Sequence, residues 1–252
     1  MPFKLPHCWR QTALRAGIAV YGLFWAGGVV SYVALGGPPP DTAWAAPFFL
    51  ALAAALTLAL SPRAEWRFLA AAAAVGFASE WLGVATGFPF GAYEYTDALF
   101  PRVFGVPLVM TAAWMVLVAY ARQVSAAPWI AAAWMTAMDL VIDPLAANAL
   151  GFWQWASPGP YHGIPWSNFA GWYGVSLVVF LLDRRHPQPN PPLRRLGLSV
   201  FQFFTAIALA LRLWGPAALG LSLLLAHVVR FHRPARQSAR STPPGPPPSP
   251  AR

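Results

Sequence analysis

The chain has 252 residues, of which 58% are hydrophobic and only 10% are charged, whereas about a quarter of the residues of a soluble domain are charged. The single cysteine, Cys8, excludes an internal disulfide and a cysteine-based metal site. The net charge of +9 would suit a nucleic-acid partner, but the basic residues lie in short loops and a tail, which is a pattern of membrane topology. The composition therefore predicts a polytopic integral membrane protein of the all-α class with no nucleic-acid partner.

Apolar runs predict about eight transmembrane helices, each long enough to cross roughly 30 Å of hydrocarbon at about 1.5 Å per residue. Ser61-Pro62 and the stretch from Ser125 to Pro128 are typical helix starts. The last two runs, joined at Trp214, could instead form one kinked helix. The predicted bounds, in chain order, are 15–36, 44–60, 66–84, 103–121, 127–148, 167–183, 196–212 and 215–231.

The distribution of Lys and Arg predicts the orientation of this bundle. With eight spans and an inner N-terminus, only Arg102 and Arg212 of the 17 Lys and Arg residues fall on the outer side. Seven spans would place the basic C-terminal tail outside, against this bias. We therefore expect both termini on the cytoplasmic side of a bacterial inner membrane. We also expect an uncleaved first helix, a helical domain over 1–232 and a disordered Pro/Arg/Ser-rich tail over 233–252.

Three acidic residues interrupt the apolar helices: Glu80 in the third, and Asp139 and Asp143 in the fifth. An Asp near the centre of an inserted helix costs roughly 2.5–3.5 kcal/mol, so an intramembrane acid indicates a functional site. Two loops rich in aromatic residues, Gly and Pro follow these helices at the outer end of the bundle. They read "GVATGFPFGAYEYTDALFPR" and "GFWQWASPGPYHGIPWSN". We expect the acids and both loops to form one site on the periplasmic side.

The two loops have a common pattern. Each reads Gly-x-aromatic-x-aromatic, a spacer, Gly-aliphatic-Pro, six further residues and Trp, from Gly91 to Trp114 and from Gly151 to Trp172. This pattern predicts a weak parallel repeat of two helix–loop–helix units, related by an axis along the membrane normal. Glu80 would then face the Asp pair across a shared cavity. Chance enrichment of aromatic residues is the alternative explanation.

Asp139 and Asp143 are spaced i and i+4, so both side chains lie on one face of the helix. Two like charges in a desolvated site cannot both ionise cheaply, so we expect the pair to share a proton. That arrangement places a proton donor beside a carboxylate, as general acid–base chemistry requires. No Lys or Arg on the outer side of this helix is available to pair with Asp139.

Two of the acids have structural alternatives. Asp143 precedes Pro144 and could cap a short terminal helix, while Pro144 removes the usual N–H donor from the carbonyl of Leu140. Glu80 could accept a hydrogen bond from backbone freed by the glycines that follow it. The candidate catalytic residues are thus Asp139, Asp143 and Glu80.

Other chemistries lack the residues they require. Magnesium held with a diphosphate requires Arg or Lys for the phosphates, and only Arg102 lies near these loops. A di-iron hydroxylase requires clustered histidines, but His162 is the only one in the loops, where we expect an interfacial hydrogen bond. The sequence shows no Ser/His/Asp arrangement and no Gly-rich phosphate loop. We therefore predict no metal and no cofactor, and a neutral, apolar substrate.

Aromatic rings are concentrated at the same end of the bundle. Ring faces can stabilise a cation without offering a nucleophilic atom, although aromatic residues also form belts at membrane interfaces. Trp172 belongs to this end, and Tyr161 and Asn168 could orient a water molecule. The candidate substrate-binding residues are Trp81, Phe88, Phe90, Tyr93, Tyr95, Trp153, Trp155, Tyr161, Trp166 and Asn168.

Three stretches, "EWLGVATGFPFGAYEYTDALFPRVFGVPL", "AMDLVIDPLAANALGFWQW" and "YHGIPWSNFAGW", resemble the membrane-bound carotenoid hydratases of the CruF type. The resemblance covers about residues 76–182. It implies addition of water across the 1,2 double bond of an acyclic carotenoid end group, as in γ-carotene or lycopene, to give a tertiary alcohol without a redox cofactor. It also implies the lipid bilayer, an apolar carotenoid and other carotenoid-synthesis enzymes as partners.

Under this reading Asp139 protonates carbon 2, a tertiary cation forms at carbon 1, and water polarised by Asp143 or Glu80 attacks it. One rival is a proton-coupled transporter or lipid-handling protein, which also uses intramembrane acids. It requires a path to both sides, yet the inner helix ends show Ala, Leu and Val without a polar trail. A second rival, a non-catalytic scaffold for a carotenoid-synthesis assembly, leaves Asp139 unexplained.

Overall fold

A computed structural model describes residues 7–39, 41–183 and 187–232, so the predicted C-terminal tail lies outside the described residues. Within the described ranges the chain forms eight α-helices. They are α1 (His7–Leu35), α2 (Ala45–Leu60), α3 (Trp66–Thr86), α4 (Val109–Val124), α5 (Pro128–Pro144), α6 (Trp166–Leu182), α7 (Pro191–Ala210) and α8 (Trp214–His232).

Among the described residues, five helical segments are long and apolar enough to cross a membrane by themselves, and they correspond to α1, α3, α5, α7 and α8. The other three helices, α2, α4 and α6, have 16 or 17 residues. These features are those of a helical membrane protein. The expected eight spans and the cytoplasmic location of both termini stay predictions.

Helix α1 begins at His7 rather than near 15, and two other departures from the predicted helix bounds have local causes. Helix α4 begins at Val109 rather than near 103, because residues 102–107 form a short hairpin. Helix α7 begins at Pro191, five residues early, where the Asn190 side chain accepts a hydrogen bond from the Leu193 N–H at 3.1 Å and caps the helix. Helices α7 and α8 are separate and pack against each other, so they do not form one kinked helix.

The two long loops, residues 87–108 and 150–165, carry four short strands that the expectation of an all-helical chain did not include. They are β1 (Tyr93–Tyr95), β2 (Arg102–Val103), β3 (Val106–Pro107) and β4 (Trp153–Trp155). Strands β1 and β4 pair antiparallel, with Tyr93 opposite Trp155 and Tyr95 opposite Trp153. Two segments about 60 residues apart in sequence are thereby joined over the end of the bundle.

Corresponding positions of the predicted repeat adopt similar local structures. Phe104 and Gly105 have φ angles of 51° and 81°, and His162 and Gly163 have φ angles of 51° and 82°. Positive φ at two consecutive residues is typical of the tight hairpin turn that joins twisted antiparallel strands. Each turn is followed by a helix that carries one of two stacked rings: Trp114 and Trp172 lie with their centroids 4.4 Å apart and their planes 8° apart. These correspondences support the predicted repeat.

Helix α5 does not end before its proline. It continues through Pro144 into a five-residue π-helix, Leu145–Ala149, which we call the π segment. The carbonyl of Leu140, which Pro144 leaves without its usual donor, accepts a hydrogen bond from the Tyr161 hydroxyl at 3.0 Å. Asp143 therefore lies inside the helix, and the side chains of Trp153 and Asn168 donate hydrogen bonds to it. The interpretation of Asp143 as a helix cap is wrong.

Glycines on α3 and α6 allow large rings to approach the helix backbones closely. A Cβ atom on Gly76 would lie 2.2 Å from Cγ of Trp114, and one on Gly171 would lie 2.7 Å from Cδ1 of Phe90. Small residues of this kind allow close packing between membrane helices. The positions of Trp114 and Phe90 at the site therefore depend on these glycines.

We predict that Gly76→Ala lowers the thermal unfolding temperature in detergent, because the added methyl group overlaps the Trp114 ring. Overpacking of this kind costs typically 1–3 kcal/mol. Gly174→Ala is the matched control, since a Cβ atom there meets nothing within 4 Å and alanine favours a helix by up to about 1 kcal/mol. Equal unfolding temperatures for the two variants would contradict the packing described for Trp114.

Candidate active site

Three carboxyl groups are buried at the end of the bundle that the two long loops cover. Glu80 is on the last turns of α3, and Asp139 and Asp143 are on α5. Their helices are held next to α6, which packs against both α3 and α5. The structure thus brings together the three acids that the sequence singled out.

Three side chains donate hydrogen bonds to the carboxylate of Glu80. Its Oε2 accepts from the hydroxyls of Tyr93 at 2.5 Å and Tyr95 at 2.8 Å, and its Oε1 accepts from the indole N–H of Trp114 at 3.0 Å. Among the described residues no backbone N–H donates to this carboxylate, in contrast to the alternative considered from the sequence. Trp114 was not among the predicted site residues, although its place in the loop repeat could have suggested a common role with Trp172.

Asp139 and Asp143 are bridged by one amide group. The Nδ2 atom of Asn168 on α6 donates to Oδ2 of Asp139 at 2.8 Å and to Oδ2 of Asp143 at 2.6 Å. The indole N–H of Trp153 on β4 donates to the other oxygen of Asp143 at 2.8 Å. Both carboxyl groups therefore lie on the face of α5 that meets α6, as the spacing of four residues predicts.

No cation neutralises these acids within the described part of the chain. The two ion pairs found there join Arg102 to Asp97 in a loop and Arg122 to Asp183 near the opposite end of α4. The partners of the three carboxyl groups are instead neutral hydroxyl, indole and amide groups. Because buried charge of one sign is unfavourable without a counter-charge, the cluster favours keeping at least one of the acids protonated.

Two cavities adjoin the acids. The first has a volume of about 60 Å³ and an apolar wall in which Asp139 is the only ionisable side chain. The second has a volume of about 20 Å³ and is lined by Glu80, Asp143 and Asn168 together with aromatic rings. We call them the apolar cavity and the polar cavity.

The predicted substrate-binding residues divide into three groups. Phe90, Tyr93, Tyr95, Trp153, Trp155 and Asn168 line the polar cavity, and Trp153 lines the apolar cavity as well. Tyr161 instead holds the Leu140 carbonyl described above. The structure places the others on the surface and outside both cavities: Trp81, Phe88 and Trp166 are 48%, 69% and 58% exposed.

Sequence reasoning missed the residues that the other helices contribute to the apolar cavity. Leu50 comes from α2, Met110 and Ala113 come from α4, and Val200 and Phe204 come from α7. These are ordinary apolar residues on helices without a distinctive motif, so no signal in the sequence separated them from residues that face lipid.

The environment of the site raises the pKa values of two tyrosines in the loops. Burial raises the pKa of Tyr93, and the neighbouring Glu80 carboxylate raises it further. Burial and then Glu80 also raise the pKa of Tyr95. Both phenols therefore stay protonated and serve as donors to Glu80.

Comparisons with known proteins identify the family of this chain. The chain belongs to the carotenoid biosynthesis protein family, whose model matches residues 45–227. It is similar to bisanhydrobacterioruberin hydratase of Haloarcula japonica, with 33% identity over 166 residues, which is 60% of this chain and 54% of that relative. The matched part of the chain thus spans about half the length of this relative. No solved structure matches.

The family match extends beyond the region that carries the sequence resemblance, residues 76–182. It includes α2, α7 and most of α8. The helices that supply Leu50, Val200 and Phe204 to the apolar cavity therefore belong to the family region. The resemblance to carotenoid hydratases that the loop motifs indicated is confirmed.

The raised pKa of Tyr93 predicts a loss of stability in alkali. Above pH 10, the ordinary tyrosine value, the unfolded chain releases this proton while the folded chain retains it, so the free energy of unfolding falls as pH rises. The contribution of this residue is about 1.4 kcal/mol for each pH unit above 10. Tyr93→Phe removes that contribution and should flatten the dependence of the unfolding temperature between pH 9 and 11.

The control is Tyr173→Phe, which changes a surface-exposed tyrosine of α6. Since Tyr93→Phe also removes a hydrogen bond to Glu80, the comparison concerns the slope with pH and not the stability at neutral pH. A slope equal to that of the unchanged protein would contradict the buried, protonated state of Tyr93.

Proposed function

We propose that this member of the carotenoid biosynthesis protein family is a hydratase that adds water across the 1,2 double bond of an acyclic carotenoid end group. The observation that carries the proposal is the position of Asp139. It is a buried carboxyl group with only neutral partners, at the wall of an otherwise apolar cavity. A group in this setting can hold a proton and present it to a neutral alkene.

Hydrogen bonding indicates which acid of the pair holds the proton. Among the described residues, Asp143 accepts from Trp153 on one oxygen and from Asn168 on the other, whereas Asp139 accepts only from Asn168. Donors to a carboxylate favour its ionised form. The shared proton therefore resides on Asp139, and Asp143 is the carboxylate. Glu80 has three donors, which likewise favour its ionised form.

The reaction then proceeds in balanced steps. The Asp139 proton is transferred to carbon 2 of the alkene, which leaves a tertiary cation at carbon 1. A water oxygen bonds to carbon 1, and the proton that this water releases passes to Asp143. Transfer of that proton between the two carboxyl groups that Asn168 bridges restores the starting state. No oxidation state changes overall, and γ-carotene and lycopene both offer the required end group.

The surroundings favour the cationic intermediate. The rings of Trp153 and Trp172 line both cavities, and ring faces attract positive charge. The carboxylates of Asp143 and Glu80 add negative charge nearby. Charges and dipoles fixed before the reaction stabilise developing charge without reorganisation, and this is usually the largest catalytic contribution.

A proton-coupled transporter is the second candidate, because of one observation. The Tyr120 hydroxyl and Nδ1 of His227 lie 2.9 Å apart in a buried contact between α4 and α8, away from the loops. The half of the bundle away from the two long loops is thus less uniformly apolar than its sequence indicated. Transport would require these groups to connect to Asp139, and the two described cavities do not include either residue.

We predict that Asp139→Asn lowers hydration by at least about 100-fold, the contribution typical of a general acid, while the protein still accumulates in membranes. The amide has the same shape but no acidic proton. Glu94→Gln is the matched control, because Glu94 is exposed on β1 between two site tyrosines. Pigment extracts of a host that makes an acyclic carotenoid would provide the measurement, and normal product from Asp139→Asn would remove it as the acid.

The source of the product oxygen provides an independent test. Membranes that contain the protein and lycopene, incubated in H₂¹⁸O under ordinary oxygen, should give a hydroxylated product that is two mass units heavier. The same membranes in ordinary water under ¹⁸O₂ should give unlabelled product. Label from molecular oxygen would identify a hydroxylase and contradict the proposed hydration.

A further inference from the structure

The two cavities are neighbours with contrasting walls. Met110, Trp153 and Trp172 line both of them, so the two cavities are adjacent. Asp139 lies at the apolar cavity, while Asp143, one helical turn away, lies at the polar cavity. The two acids that Asn168 links thus face different compartments.

The apolar cavity suits a branched hydrocarbon and not water. Apart from Asp139, its wall consists of apolar and aromatic side chains, including Leu50, Ala113, Val200 and Phe204. Cavities lined in this way stay dry and bind apolar molecules. Its volume of about 60 Å³ exceeds by several fold the roughly 10–15 Å³ that one water requires.

The polar cavity suits one water molecule. Its volume of about 20 Å³ is just above the requirement of roughly 10–15 Å³, and a buried water typically makes two to four hydrogen bonds. Glu80, Asp143 and Asn168 line it. Trp155 lines it too, and its buried indole N–H has no hydrogen-bond partner among the described residues.

We propose that hydration draws its two reactants from these two compartments. The apolar cavity is the subsite for the branched, dimethyl-substituted alkene end. The polar cavity holds the attacking water, which Trp155 and Asn168 position for Asp143. The residues on α2, α4, the π segment and α7 that line the apolar cavity then determine which end groups are accepted. This inference rests on the proposed function and assigns each reactant a place.

Separate compartments have a chemical consequence that can be measured. Once carbon 2 is protonated, the cation either captures water or loses a proton from a neighbouring carbon and returns to an alkene. In D₂O, with Asp139 carrying deuterium, the second course leaves deuterium in recovered substrate. Deuterium uptake therefore reports protonation in the apolar cavity, and alcohol formation reports capture of water from the polar cavity.

The test combines one variant for each cavity. Ala146→Val adds bulk to the apolar cavity, and it should lower alcohol formation and deuterium uptake together, by about 10-fold or more at limiting substrate. Ala149→Val is its control in the same π segment, where the side chain is exposed. Trp155→Phe removes the N–H from the polar cavity, and it should lower alcohol formation several fold while deuterium uptake by the substrate is kept or increased.

A rescue keeps the test decisive if Ala146→Val is poorly folded. Phe204 lines the same cavity, so Phe204→Leu in the Ala146→Val background restores volume and should recover most of the activity. If the unchanged protein forms alcohol but Trp155→Phe lowers deuterium uptake in proportion to alcohol formation, or if Ala146→Val changes neither readout, the two-compartment inference is wrong. Absence of both alcohol and deuterium uptake in the unchanged protein would instead overturn the proposed function.

Discussion

The site is governed by the need to bury three carboxyl groups without a cation. In a low-dielectric interior this is possible only if a proton is shared and if neutral donors surround the remaining charge. Tyrosine hydroxyls, indole N–H groups and one amide supply those donors. The absence of a guanidinium or ammonium partner in the described site suits the proposed hydration, because such a partner would hold the acids ionised and remove the proton that the alkene would have to receive.

Most of those donors are side chains of the two long loops. Tyr93 and Tyr95 alternate with Glu94 along β1, so both hydroxyls point to one side and reach Glu80 while Glu94 is exposed. The pairing of β1 with β4 places Trp153 and Trp155 beside them, and Trp153 reaches Asp143. A sheet of only two strands, each three residues long, thus fixes donors for acids on two different helices.

The sequence predicted most of the helices and the acids of the site, for clear physical reasons. Apolar runs punctuated by Pro and Gly indicate membrane helices, and a buried acid is conspicuous because its burial is unfavourable. The spacing of Asp139 and Asp143 also predicted that they share one face of the helix.

The strands were missed because runs of two or three residues are too short for an alternating pattern. The wall of the apolar cavity was missed because Leu50, Val200 and Phe204 look like any residue in a membrane helix. Exposure of Trp81, Phe88 and Trp166 depends on how the helices pack, which the periodicity of one helix does not determine.

Strands β1 and β4 pair antiparallel with Glu94 opposite Gln154, so a local two-fold axis lies between the two loops. The stacked rings of Trp114 and Trp172 occupy equivalent positions on the helices that follow the loops. Self-complementary contacts of this kind characterise the interface of a two-fold homodimer. A gene for a single hairpin that dimerised, duplicated and fused would leave such a trace. Fusion would free the halves to diverge, and they do differ: one half has a single glutamate that binds aromatic side chains, while the other has the aspartate pair.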